Sequence, residues 1–438
     1  MDQKVRTALI VLVLLIVAAP LSLLLLSTGT KLQITPPVQV IGDATPVYLQ
    51  IANPHGVRKL TVNIEQDGKR YLTQLMTSPP RRLLFLRKHE PPKLMTAIVG
   101  KKAAPALHDG KARVIVEAQS NDLRARTDSV SMDVDVITAP PRVTADSARH
   151  YINQGGCGLV SFTPGGYWTD AGVKVGRYTF RSFPLPSDPA KRLFSLFAYP
   201  WDLAAGAEPA VYAINPAGGV ATATFRYKFF PKRFRTRDIQ IDDKFLERVD
   251  NQIEPGGSGD LLQRFLRING EMRRKNNRTL ADLRLQTEPK FYWSGPFQQL
   301  GNSQVESVFA DKRSYIYKGK KVDEQVHLGF DLAVTAHVAV PASNDGKVVW
   351  ASDLGIYGNC VVIDHGYGLQ SIYGHLSEIG VKKGELVKKG QTIGRSGSTG
   401  LAGGDHLHFG MQVDGVQVNP VEWWDEHWIK DRILSKLQ

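Results

Sequence analysis

Hydrophobic and polar positions follow three different periods along this chain. Residues 8–26 are apolar apart from one serine. Nineteen helical residues reach ~28 Å, close to the ~30 Å hydrocarbon core of a bilayer. Lys4 and Arg6 precede this run and no A-x-A cleavage site follows it, so the pattern predicts an uncleaved transmembrane anchor over 8–28, with 1–7 as a cytoplasmic tail; the alternative is a signal peptide cleaved at the poor site Ser27-Thr28-Gly29. Beyond it the period becomes two. L-T-V-N-I-E (60–65) and A-R-V-I-V-E-A (112–118) alternate as half-buried antiparallel strands do. Pro36-Pro37 and Ala139-Pro140-Pro141 punctuate the stretch. This predicts an immunoglobulin-like β-sandwich over 31–138 and a second β domain over 142–236. From Asp242 to about Leu285 the period is helical, interrupted by P-G-G-S-G at 255–259. Leu261, Leu262, Phe265, Leu266 and Ile268 form one apolar face, and Ser258 or Asp260 can cap its helix. Residues 237–290 therefore read as a helical linker or hairpin, and 291–438 return to strands. The expected fold class is mainly β.

Within that last segment, histidines fall at strand spacing. His406 and His408 are two apart in D-H-L-H-F, so both rings face one space on a strand. His327 and Asp331 are four apart in V-H-L-G-F-D, about 13 Å on a straight strand at ~3.3 Å per residue. Gly329 between them can bend the backbone so that both reach one ion. Catalytic zinc takes three protein ligands and keeps one position open. His327, Asp331 and one imidazole of the His406/His408 pair meet that requirement. No H-E-x-x-H stands in the chain, so the helical zinc-protease site is excluded and proton transfer falls to histidine.

These residues resemble the M23 (LytM/lysostaphin-type) zinc metallopeptidases, which cut peptidoglycan peptides. The family's H-x-x-x-D matches His327 and Asp331, its H-x-H matches His406-Leu407-His408, and its intervening histidine matches His375 in Y-G-H-L. D-G-K-V-V (345–349), Y-G-N (357–359), I-D-H-G (363–366), G-S-T-G (397–400) and V-N-P (418–420) also agree. The resemblance covers about residues 305–427. It implies an antiparallel β metallopeptidase domain, with His327, Asp331 and His408 as ligands of Zn2+ and His375 and His406 as the catalytic pair. It implies metal-assisted hydrolysis of peptide bonds in peptidoglycan stem peptides or cross-links. His337 departs from the family, which often has Gly or a small residue there. His337 and His365 otherwise read as strand-end or surface histidines. The second reading is a non-catalytic scaffold on this fold, such as an activator of wall amidases, although such relatives usually lack part of the site.

Charge refines the picture of partners. The chain carries +13, yet residues 305–438 hold fourteen Lys/Arg against sixteen Asp/Glu, so the excess lies upstream, in clusters at 81–88, 229–237 and 267–278. Attraction to anionic lipid or wall polymer suits a membrane-tethered protein, and the compartment argues against nucleic acid. The catalytic domain is accordingly expected to be periplasmic or otherwise extracytoplasmic. A regulatory protein partner is a further expectation, and the segment 314–325 could cover the cleft. Gly397–Gly404 lacks the G-K-[ST] ending of a phosphate loop and reads as a flexible loop beside the site. V-K-K-G-E-L and V-K-K-G-Q-T (381–392) read as paired β-turns. Cys157 and Cys360 fall in different predicted domains, and no disulfide is expected. The tryptophans of V-E-W-W-D-E-H-W-I (421–429) are expected to pack the final segment onto the catalytic domain.

Overall fold

A computed structural model describes residues 3, 6, 11–13, 16–18, 27–81 and 89–437. Most of the expected anchor and most of the basic cluster at 81–88 lie outside the described residues. Among those described, no helix is long and apolar enough to cross a membrane.

The chain divides into two compact units. In the first, a three-stranded sheet (Lys31–Ile34, Thr45–Ala52, Lys93–Val99) shares a core with a five-stranded one ordered Val40–Ile41, Thr127–Val136, Gly110–Ser120, Val57–Gln66, Lys69–Thr77. Alternation produces this core: Leu60, Val62 and Ile64 are buried from one strand, Val114, Val116 and Ala118 from its neighbour.

The second unit takes in 142–165, 170–213 and 222–438. Its central sheet runs Gln304–Ser307, Phe330–Ala333, His406–Val413, Leu369–Leu376, Asn359–Gly366, Gly346–Asp353, Leu386–Val387, with Val416–Val418 paired to the third of these. Every pairing is antiparallel. Leu369–Leu376 is buried at every position, because both faces of the sheet are covered. The paired turns occur as expected: Glu385 N donates to Lys382 O and Gln391 N to Lys388 O, with Gly384 and Gly390 at positive φ.

One cover is helical. Asp242 caps the helix Asp243–Ile253 through the Phe245 amide, and Asp260 caps Leu261–Arg267 through the Gln263 amide. A π-helical turn, Ile268–Met272, leads into the helix Arg273–Asp282. Leu246, Val249, Phe265, Ile268, Leu280 and Leu283 are buried in one cluster with Val349, Ile356, Tyr357, Cys360, Val362 and Ile372 of the sheet domain. At about 1.5–3 kcal/mol per buried apolar side chain, lifting these six away would cost on the order of 10 kcal/mol, comparable to a domain's whole stability. The segment is an integral wall of the domain and more than a linker.

The second β region is tied to the same domain by buried polar contacts. The Glu422 carboxylate accepts from Cys157 N and Asn153 Nδ2, both at 2.8 Å. Arg181 donates from its backbone N and Nε to Asp414, at 2.8 and 2.7 Å. Trp423 packs on Trp293 and Phe297, and Trp424 on Phe330 and Phe409. Cys157 and Cys360 are both buried free thiols.

Candidate metal centre

Strand register assembles the site. Asp331 lies opposite His408 and Ala333 opposite His406, while Gly374 pairs with His408 from the other side. His327 ends the strand Lys320–His327, and the chain breaks at Leu328-Gly329 before Phe330–Ala333 begins. That break removes the 13 Å separation a straight strand would impose. Gly329 also makes room: a Cβ there would lie 2.6 Å from His408 Cε1 and 2.7 Å from its Nε2.

His327, Asp331 and His408 are brought together as a buried group able to hold a metal ion. His327 Nε2 lies 2.9 Å from His408 Nδ1 and 2.9 Å from Asp331 Oδ1, which is 3.2 Å from His408 Nδ1. Tetrahedral zinc with bonds of ~2.1 Å holds its ligand atoms ~3.4 Å apart, so this spacing and the N/N/O donor set fit a borderline divalent ion. His327 Nδ1 donates to the Val308 carbonyl at 3.2 Å, which leaves its Nε2 lone pair for the ion. His408 Nε2 is buried without a hydrogen-bond partner, so its Nδ1 is the nitrogen that takes part.

His375 and His406 flank this group with ring centroids 4.7 Å apart. Each donates Nδ1–H to a backbone carbonyl, His375 to Thr399 (2.8 Å) and His406 to Gly404 (2.9 Å). His375 thereby presents Nε2 as its free nitrogen, whereas His406 Nε2 faces Asp331 Oδ1 at 3.5 Å. The carbonyls belong to the Gly-rich loop, so that loop orients both rings. Helix Asp243–Ile253 grips it in turn: Gln252 Nε2 donates to Ser398 O at 2.8 Å and Arg248 Nη2 to Ala402 O at 3.4 Å. His375 sits at φ +63, a left-handed conformation that a side chain adopts at a cost.

The two imidazoles titrate apart. Burial, reinforced by neighbouring His406 and His408, holds His375 well below its ordinary range. Burial also opposes charge on His406, but the Asp331 carboxylate 3.5 Å from its Nε2 outweighs it and raises the pKa. Burial pushes His327 down to about 4. Asp331 is held well below the carboxylate range, because the three imidazoles overcome the penalty of its burial.

Several participants carry no motif. Arg313 donates Nη2 to Asp331 Oδ2 at 2.7 Å. A cavity of about 90 Å³ in front of the ligands is lined also by Arg273 and Asn277 of the helical wall and by Tyr357. The segment 314–325 expected over the cleft contributes only Tyr315 to this lining, whereas the helix Arg273–Asp282 contributes Arg273 and Asn277. Two histidines also need correction or explanation. His365 lies at the end of the strand Asn359–Gly366, one of the two expected places, and is fully buried there because that strand is covered on both faces. His337 is exposed at φ +61, which explains why glycine suits that position.

Residues 325–420 match the model of peptidase family M23. The DD-carboxypeptidase/endopeptidase Mpg of Neisseria meningitidis serogroup B is 40% identical over 97 residues, 22% of each chain. The peptidoglycan DD-endopeptidase ShyA of Vibrio cholerae is 45% identical over 96 residues, again 22% of each chain. The match thus spans about a fifth of these curated relatives. A crystal structure of a peptidase M23 homologue from Pseudomonas aeruginosa, described there only by sequence family, aligns at TM-score 0.38 and 20% identity over 62% of this chain and 94% of that one.

Proposed function

Because residues 325–420 are a peptidase family M23 domain, we propose that this protein is a zinc-dependent peptidase that hydrolyses peptide bonds in peptidoglycan stem peptides or cross-links. The observation that carries the proposal is the buried His327/Asp331/His408 group with two further imidazoles beside it, each anchored through Nδ1 to a backbone carbonyl. His327 Nε2, Asp331 Oδ1 and His408 Nδ1 would hold the ion. A zinc ion there supplies Lewis acidity, polarising the scissile carbonyl and acidifying water.

The chain's own residues do the rest. His375, kept neutral by burial, accepts a proton at Nε2 from the attacking water. His406, whose charged form the Asp331 carboxylate favours, donates from Nε2 to the oxyanion or to the departing amine. Thr399 and Gly404 fix both rings through their carbonyls, so neither must reorient during the reaction. The helical wall and the Gly-rich loop limit access of water to the ligands.

The proposal extends to location. The apolar run at 8–26 behind Lys4 and Arg6 supports a single anchor, with the catalytic domain on the extracytoplasmic side where peptidoglycan lies. Purified peptidoglycan incubated with the zinc-loaded chain should yield new peptide termini by mass spectrometry. They should vanish with a chelator and with His375→Ala. Intact peptidoglycan in the presence of full zinc occupancy would overturn the peptidase reading.

A further inference from the structure

The basic cluster at 229–237 divides into committed and uncommitted cations. Arg235 pairs with Asp311, and Arg237 Nη1 donates to Glu306 O at 2.9 Å and to Ser307 Oγ at 3.3 Å. Lys232 and Arg233 form no ion pair among the described residues. With Lys312, Trp201, Phe234 and Asp202 they line an open groove of about 580 Å³. Asp202 is the one carboxylate of that lining, and Arg177 from outside the groove already holds it. The groove therefore keeps an uncompensated positive charge, to which two separate chain segments contribute.

Its shape is as particular as its charge. Trp201 and Phe234 stand nearly perpendicular, at 87° with ring centroids 6.5 Å apart, and form an apolar corner. Gln154 commits its whole amide to holding that corner. Its Nε2 donates to Trp201 O and Leu203 O, both at 3.0 Å, and its Oε1 accepts from Lys232 N at 3.1 Å. Fully buried Tyr199 fixes the far end of the same loop, its Oη donating to Ala204 O at 2.7 Å. One side chain thus clamps the backbone of Trp201 to that of Lys232, so an aromatic face and a cation are arranged together before any ligand arrives.

An aromatic corner takes the apolar C–H face of a sugar ring, and cations beside it take carboxylates carried on that sugar. A concave groove suits a chain laid along it rather than a planar lipid surface. We propose that this groove is a second, non-catalytic site for an acidic polysaccharide, the glycan strand of peptidoglycan, with a sugar ring on Trp201 and Phe234 and its carboxylates on Lys232, Arg233 and Lys312. The choice of this polysaccharide rests on the peptidase reading above.

Position supports the choice. A further groove of about 370 Å³ continues from the cavity at the metal ligands, sharing Arg313, Asp331 and His406 with its lining, and Arg237 stands in its wall. The six residues from Lys232 to Arg237 lead from one groove to the other and reach at most about 20 Å. Lys312 and Arg313 repeat the link: neighbours on the strand Asp311–Tyr317, they face opposite sides, one toward each groove. A glycan strand held at the outer groove keeps its stem peptides at a raised effective concentration near the ligands.

The test measures binding without turnover. The full chain in uncharged detergent, freed of metal by a chelator, is sedimented with insoluble peptidoglycan. It is also titrated with soluble glycan strands from which an amidase has removed the peptides, each disaccharide keeping its lactyl carboxylate. The wild type should bind both probes. The double substitution Lys232→Ser with Arg233→Ser should weaken both by about fivefold at low salt, and the gap should close near ~0.5 M salt. Trp201→Ala should weaken both by about fivefold or more, and Trp201→Phe should stay within about threefold of the wild type. Circular dichroism checks that each variant is folded. Undiminished binding in the double variant would overturn the proposal whether or not Trp201→Ala folds. A loss in the double variant with none in Trp201→Ala would make the groove a general polyanion contact and overturn the glycan assignment. Expected losses in both variants, alongside a zinc-loaded wild type that cleaves no peptidoglycan, would overturn the peptidase reading and leave the glycan site standing.

Discussion

Arg313 and Asp331 divide one carboxylate between two tasks. Arg313 Nη2 holds Oδ2 at 2.7 Å, while Oδ1 faces the imidazoles of His327, His406 and His408. The guanidinium fixes the carboxylate plane and leaves a single oxygen for an ion. Arg313→Met removes this restraint without disturbing any ligand. It should weaken zinc binding about 10–100-fold in chelator competition, in line with outer-shell substitutions elsewhere. Unchanged affinity would mean that Asp331 is positioned by its strand alone.

The three ligands and the two flanking imidazoles should separate under substitution. His408→Ala removes a donor 2.9 Å from His327 Nε2 and should abolish stoichiometric zinc in metal analysis. His375→Ala leaves His327, Asp331 and His408 in place, so zinc should be retained while turnover falls by about 10²–10⁴-fold, the usual worth of a general base. Normal zinc content in His408→Ala would remove that residue from the ligand set.

What the sequence made readable was whatever strand period decides locally. His406 and His408 share a face because they are two apart, and the antiparallel register then sets Asp331 opposite His408. Arg313 had no such signal, because its contact with Asp331 crosses from the hairpin Asp311–Tyr317/Lys320–His327 and depends on tertiary placement. Arg273 was equally hidden. Its helix was visible in the period of the apolar positions, but a period shows which face is buried and not what lies against it. The apolar face meets Val362 and Ile372 of the central sheet, and this brings Arg273 to the ligands. The place of His365 at the end of a strand was legible but its burial was not, for the related reason that a strand covered on both faces loses the alternation that separates inside from outside.

Gly329 is required for space more than for flexibility. Any side chain there meets the His408 ring at 2.6 Å and the Phe409 carbonyl at 2.8 Å. Neither atom belongs to the free end of a flexible side chain, so the ring or the strand must shift by several tenths of an ångström. Gly329→Ala should therefore keep the far-ultraviolet circular dichroism of the wild type but lose zinc affinity by at least about tenfold, since ligand geometry tolerates only ~0.2 Å. Full affinity in a crystal-verified Gly329→Ala chain would show that the His408 ring has slack.

Acid should probe the buried histidine outside the site. His365 donates or accepts at both nitrogens, with Asp345 O at 2.7 Å and Ser371 Oγ at 2.7 Å, and Ser371 continues to Tyr373 Oη at 3.0 Å. Burial lowers its pKa from 6.5 to about 4. The folded pKa lies below the unfolded one, so the unfolded chain binds more protons between these values. The stabilising contribution of His365 is then complete above pH 6.5 and is lost as pH falls through 4, amounting at most to about 3 kcal/mol. Asp364 beside it runs the other way: burial raises its pKa to about 6, so its contribution is present below pH 3.8 and is lost as pH rises through 6. The two partly cancel in the wild type. His365→Gln keeps hydrogen-bonding capacity and removes the proton site, so the stability difference between wild type and variant should shrink steadily from pH 7 to pH 4.5. Urea midpoints of metal-free protein at these two pH values give the measurement. Parallel loss of stability in both chains would place the acid sensitivity elsewhere in the fold.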